Sequence, residues 1–164
     1  MSSQRISQHF AWFMCLVAAV FYSYEYILRV IPSILVPSLM QTLQIGPSQI
    51  GVIASLYYLT YTPLQLFVGT IMDHYGVRWP LTIATTSCAL GIYIFSIPIL
   101  IYAKLGMLLV GFGSAFAFVG ALKLTSMWLR HDRFAYYSGL VNMLGFLGAC
   151  VGTISMQALV EQMG

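Results

Sequence analysis

Apolar residues run through this chain in blocks too long for an ordinary core helix and too even for the alternation of a strand. The first block, about 10–35, is broken only by Glu25 and Arg29 before Pro32 and Pro37 close it. A more polar stretch, SLMQTLQIGPSQ at 38–49, holds the Gly46-Pro47 breaker and reads as a loop, with Ser48 placed to cap the next helix. The second block covers about 50–72, with Pro63 inside it, where the ring should bend the helix. From Leu81 to Leu122 the only charge is Lys104. One helix of that length would be roughly twice the ~30 Å hydrocarbon thickness, so two are predicted, about 80–98 and 102–128, with a return near Ser96-Ile97-Pro98. A last block, about 135–160, follows the polar patch LRHDRF at 129–134.

A span needs about 20 residues, and in hydrocarbon each backbone N–H must be bonded within its own segment. The pattern therefore predicts an all-α membrane protein with five transmembrane helices. Composition agrees: 60% of the 164 residues are hydrophobic and 7% charged, against about 25% charged in soluble proteins. Mean hydropathy is +0.87. The first block follows Arg5 and His9 and runs on without a cleavage site, so it reads as a spanning helix rather than a removable signal. The lipid bilayer is the expected solvent.

Charge adds orientation. Seven Lys/Arg against four Asp/Glu give +3 without the dense basic stripe of a nucleic-acid binder. Arg5, Arg78, Arg130 and Arg133 fall on one side of a five-helix serpentine, while Lys104 lies near the other. The positive-inside rule then predicts a multi-pass protein of the cell membrane with a cytoplasmic N-terminus. Trp12, Trp79 and Trp128 lie near the predicted cytoplasmic ends, as interfacial anchors do. Cys15, Cys88 and Cys150 sit in apolar runs without metal-ligand spacing. No nucleophile elbow or His/Asp cluster is present, so neither an enzyme nor a cofactor is expected.

Inside the spans, polar residues mark the candidate site. Glu25 and Arg29 are four apart on one face of the first helix, with Tyr22 a turn below. Such charges face a cavity, form a structural pair, or, in the outer half of the helix, snorkel to the interface. A glutamate here can carry a coupling proton if its surroundings shift it between charged and neutral forms. Lys123 either attracts an anion or snorkels. Asn142 and Gln65 line a path or bridge helices. Tyr57, Tyr58 and Tyr61 stack on a ligand or merely pack. Gly148 and Gly152 form a G-x-x-x-G pair that permits close helix approach.

The loop Gly69-Thr-Ile-Met-Asp73-His74-Tyr-Gly76-Val77-Arg78 resembles the G-x-x-x-D-R/K-x-G-R/K loop of the major facilitator superfamily of secondary transporters. Gly69, Asp73 and Gly76 match; His74 replaces the usual Arg or Lys, and the next basic residue is displaced to Arg78. After the fourth helix, Trp128-Leu129-Arg130-His131-Asp132-Arg133 is similar to the W-F-P-x-x-E/D-R segment of organic-anion symporters, with Trp128, Asp132 and Arg133 present and the Pro missing. Gly111-Phe112-Gly113 resembles the Gly-rich start of the family's fourth helix.

The resemblance implies a truncated six-helix N-terminal bundle. It also implies alternating-access transport of a small organic solute with a coupling proton or ion, Arg29 and Lys123 serving to attract an anion. Gly69, Asp73, Gly76 and Arg78 would form a gating loop. Asp73, past a helix C-terminus, needs compensation from a neighbouring helix N-terminus or a facing arginine and would latch the inward-closed state, unless the turn is simply solvated. On this reading the partners are the missing sixth helix and C-terminal bundle, and residues 1–164 alone should not transport. A scaffold that docks a partner on the Gly148/Gly152 face is the rival.

Overall fold

The computed structural model describes residues 8–128 and 134–163, except the side chains at 8–12, 14, 128, 160, 161 and 163. They form helices α1 (Gln8–Ile34), α2 (Val36–Leu43), α3 (Pro47–Tyr75), α4 (Arg78–Phe95), α5 (Leu100–Trp128) and α6 (Phe134–Met163), and among the described residues there is no strand.

Spans Cys15–Ile34, Leu100–Met127 and Phe134–Leu159 are long and apolar enough to cross a membrane unaided. Helices α3 and α4 carry more hydroxyls, and their place in the bilayer follows from packing side by side with α5. At 1.5 Å per residue even α4, with 18 residues, reaches about 27 Å, close to the hydrocarbon thickness. Apolar side chains such as Leu66, Phe67, Tyr93, Val151 and Ile154 stay exposed on the outside of the bundle, where lipid tails would cover them.

Proline placement sets the boundaries, and the structure departs from the sequence reading in two places. As expected, α1 ends between Pro32 and Pro37, at Ile34, and Pro32 is carried in its last turn at the loss of one ladder bond. The first half of the 38–49 stretch expected as loop belongs to the short helix α2, with Pro37 in its first turn and Gln44 closing it in the left-handed region at φ 53°. The cap of α3 is Gly46, with Pro47 in the first turn, so Ser48 lies inside the helix instead of capping it. Pro63 sits within a continuous α3.

Helix α5 is the hub, packing against α1, α3 and α4, while α6 packs chiefly on α1. Small residues make this possible. A side chain at Gly111 would strike the Tyr57 carbonyl and Thr60 on α3, and one at Gly113 would strike the Ala84 carbonyl and Cys88 on α4. Gly111 and Gly113 thus lie mid-helix, wedged between two neighbours, and not at the start of the helix as the motif suggested. Gly91 and Gly106 oppose each other where α4 crosses α5. In lipid, where apolar burial gives little drive, such close approach and interhelical hydrogen bonds supply the association. Thr60 Oγ1 donates to the Leu108 carbonyl at 3.1 Å, Gln65 Nε2 to that of Ala115 at 3.3 Å, and Ser87 Oγ to that of Leu109 at 2.9 Å. The first two pairs advance together along the chain, so α3 and α5 run parallel, with α4 antiparallel between their directions.

Candidate functional site

Two apolar clusters fill the bundle, one containing Tyr22, Val68 and Met72, the other Leu28, Ile53 and Tyr57. Glu25 lies between them on α1, fully buried and near the middle of the span Cys15–Ile34. Its burial inside the bundle, rather than at the helix end, sets Glu25 apart from a side chain that reaches for the interface.

One oxygen of that carboxyl gathers the polar contacts. Glu25 Oε1 accepts from Arg29 Nη2 at 2.8 Å, from Arg29 Nε at 3.1 Å and from the Tyr57 hydroxyl at 2.5 Å. Arg29 Nε also donates to Tyr57 Oη at 3.1 Å. The guanidinium rests against aromatic faces, 4.8 Å from the ring centres of Tyr26 and Tyr61 and 5.7 Å from that of Tyr57, a favourable setting for a cation withdrawn from water. Its side chain keeps 21% exposure. Among the described residues Nη1 makes no hydrogen bond. The arrangement therefore offers a carboxyl sealed in the bundle and a guanidinium edge still open to a ligand.

Tyr22 and Asn142 extend the polar chain toward α6. Tyr22 Oη lies 3.3 Å from Tyr26 Oη and 3.4 Å from Asn142 Oδ1, and Asn142 Nδ2 donates to the Ser138 carbonyl at 3.1 Å. Asn142 thus bridges helices, as does Gln65. Tyr57 and Tyr61 stack at 5.5 Å, while Tyr58 is exposed. Sequence spacing within one helix could single out Glu25 and Arg29. It gave no means of choosing Tyr57 from three similar tyrosines, because that choice depends on how α3 is rotated against α1.

Lys123 is placed elsewhere. It forms an ion pair with Asp73, joining the C-terminal ends of α5 and α3, about 13 Å along α5 from the level of Ser114, which faces Glu25. The partner of Asp73 is therefore a lysine on the neighbouring parallel helix, and not a helix N-terminus or an arginine. Gly76, at φ 74°, makes the tight turn after α3. Gly69 has open space where its side chain would be, so no close approach occurs there. Arg78 is exposed at the first turn of α4. It lines, with Thr82 and Thr85, a cavity of about 710 Å³ between α1, α4 and α5 whose wall is otherwise apolar, with Phe21, Leu81 and Leu124, and which the Glu25 group does not reach. Asp132, Arg133, Arg5 and Arg130, and the side chains of Trp12 and Trp128, lie outside the described residues.

The Gly148/Gly152 face is occupied. Side chains at these positions would collide with Ser23 and Ile27 of α1, and Gly145 abuts Tyr22. Ser23 Oγ donates at 2.9 Å to the Leu144 carbonyl across the same contact. This stripe holds α6 to α1, so the Gly148/Gly152 face is not free to dock another protein.

Comparison with known proteins agrees with this architecture. The chain is 28% identical over 152 residues to an uncharacterized transporter, YybO, of Bacillus subtilis (strain 168), a match covering 88% of this chain and 33% of that protein. It thus spans about a third of the length of the curated relative it matches. No solved structure matches the chain. The family model of the Major Facilitator Superfamily matches residues 9–164, nearly the whole sequence and every helix described above, and the chain belongs to that superfamily.

Proposed function

We propose that this bundle is the N-terminal part of a proton-coupled transporter that moves a small organic anion across the cell membrane by alternating access. The observation that carries this reading is the buried Glu25–Arg29–Tyr57 cluster at mid-depth, with one guanidinium edge uncommitted. Ionisable groups so deep in a spanning helix are costly and mark pathways or relays. While Glu25 is ionised, its charge offsets that of Arg29. A proton on the carboxyl cancels the negative charge and leaves Arg29 to pair with an anionic solute, so one proton prepares the site for one negative charge.

The Asp73–Lys123 pair serves as the latch at the cytoplasmic end, and the N-terminus lies in the cytoplasm. The basic residues Arg78 and Lys123 both lie toward that end, which supports the orientation. The scaffold alternative needs a free Gly148/Gly152 face, which α1 already covers.

Uptake by the full-length protein in proteoliposomes tests the proposal. Accumulation of an organic anion driven by an inward proton gradient is expected. Equal flux with and without the gradient would remove the coupling, and no flux for any organic anion would remove the substrate class.

A further inference from the structure

The guanidinium of Arg29 has two forked edges, and only one is spent. Nε and Nη2 point to Glu25 Oε1, and Nε also meets the Tyr57 hydroxyl. A guanidinium carries five N–H groups in one plane. The edge made by Nη1 and the outer hydrogen of Nη2 is left over, and it has the spacing to take both oxygens of one carboxylate. Two tyrosine rings flank this group, Tyr26 of α1 and Tyr61 of α3, each with its centre 4.8 Å from Arg29 Cζ. Both are half-buried, and each is backed by another ring. Tyr61 stacks on Tyr57 at 5.5 Å, and Tyr26 leans on Phe146 of α6 at 5.4 Å.

Charge and polarity narrow the solute that such a site takes. Among the described residues the other arginine and lysines stand near helix ends: Arg78 in the first turn of α4, Lys104 near the start of α5, and Lys123 toward its end, paired with Asp73. One free fork therefore serves one carboxylate. Side-chain donors on the neighbouring turns are engaged within the bundle: Thr60 with the Leu108 carbonyl, Gln65 Nε2 with that of Ala115, Asn142 Nδ2 with that of Ser138. A polyhydroxylated acid finds few free donors here, whereas a flat ring finds other rings, against which it gains packing beyond its buried area.

We propose that the solute is an aromatic monocarboxylate. Its carboxylate takes the Nη1/Nη2 edge end-on, and its ring, conjugated and coplanar with that carboxylate, lies against Tyr26 and Tyr61. Arg29 supplies the charge, and the two tyrosines make the selection. Only hydrogen bonds and ring contacts form, and no covalent bond changes. The inference rests on the reading of Arg29 as the anion site.

The test is calorimetric binding to the full-length transporter in lipid nanodiscs near neutral pH, where the probe acids are ionised. The probes are benzoate, cyclohexanecarboxylate, phthalate and gluconate. Cyclohexanecarboxylate carries the same charge on a puckered saturated ring, phthalate adds a second carboxylate, and gluconate replaces the ring with hydroxyls. Benzoate is expected to bind about fivefold or more tightly than cyclohexanecarboxylate, the scale of one aromatic pair, and more tightly than the other two. Tyr26→Leu and Tyr61→Leu should each shrink that ratio, while Tyr26→Phe and Tyr61→Phe keep it. The ratio of two acids within one variant does not depend on how much of the protein is folded. Arg29→Lys should weaken both ring acids alike.

Equal affinity for benzoate and cyclohexanecarboxylate, or a ratio unmoved by both leucine variants, overturns the aromatic selection and leaves an anion site at Arg29 standing. Phthalate or gluconate binding more tightly than benzoate overturns the proposal in the same way. Binding of none of the four overturns it together with the anion reading on which it rests.

Discussion

The Tyr57 hydroxyl lies 2.5 Å from Glu25 Oε1, across 32 residues of sequence and between antiparallel helices α3 and α1. This contact fixes the rotation of each helix about its axis, because a buried carboxylate in hydrocarbon tolerates few other partners. It also shares the carboxylate between a phenol and the Arg29 guanidinium, so neither charge stands alone.

Tyr57→Phe should therefore destabilise the bundle by about 1–3 kcal/mol, the scale of a hydrogen bond to a charged group. Thermal unfolding in detergent measures it. Tyr58→Phe, at a 52% exposed position, should change little. Equal effects would mean that Tyr57 is only a packing residue.

Glu25→Gln and Glu25→Ala should behave differently. Gln keeps an acceptor for Arg29, so the bundle should fold while proton-driven accumulation is lost. Ala leaves the guanidinium without its counter-charge, at a cost of about 3–5 kcal/mol, and folded yield in detergent should drop sharply. Arg29→Lys retains the charge but not the fork that grips Oε1 through Nε and Nη2. A rise of the substrate KM by about tenfold or more is expected, the loss of at least one charge-assisted hydrogen bond.

Glycines divide into those that meet a neighbour and those that do not. Gly113→Leu drives a side chain into the Ala84 carbonyl and Cys88, and Gly148→Leu into the Ser23 backbone. Each should separate two helices and cost about 1–3 kcal/mol or more. Gly69→Ala, with nothing in its way, should stabilise α3 by up to about 1 kcal/mol through helix propensity. Chemical denaturation of the three variants side by side distinguishes them.

The Asp73–Lys123 pair is exposed, with the Asp73 side chain 67% accessible. Its coupling energy in a double-mutant cycle should be below about 1 kcal/mol and should shrink as salt rises. The proposed role as a latch predicts that Asp73→Asn and Lys123→Gln each raise the reactivity of cysteines placed along the cytoplasmic half of the path. The charge-reversed double variant should restore protection. A membrane-impermeant label at Asp73→Cys should react from the cytoplasmic side only; reaction from the exterior would invert the orientation.

By itself, the sequence determined that this protein lives in a bilayer as helices, since long apolar blocks leave the backbone no other way to bond its polar groups. It also displayed the Glu25/Arg29 pair and the Gly69–Arg78 loop, because both are local patterns: residues four apart share a helix face in any fold. Short-range rules did less well at α2, where prolines that signalled loop proved compatible with the first and last turns of helices. Tertiary structure alone chose Tyr57 over Tyr58, gave Lys123 to Asp73, and spent the Gly148/Gly152 stripe on α1. Each of these depends on the angle at which one helix faces another, which is fixed by the summed packing of the whole bundle and by no single stretch of chain.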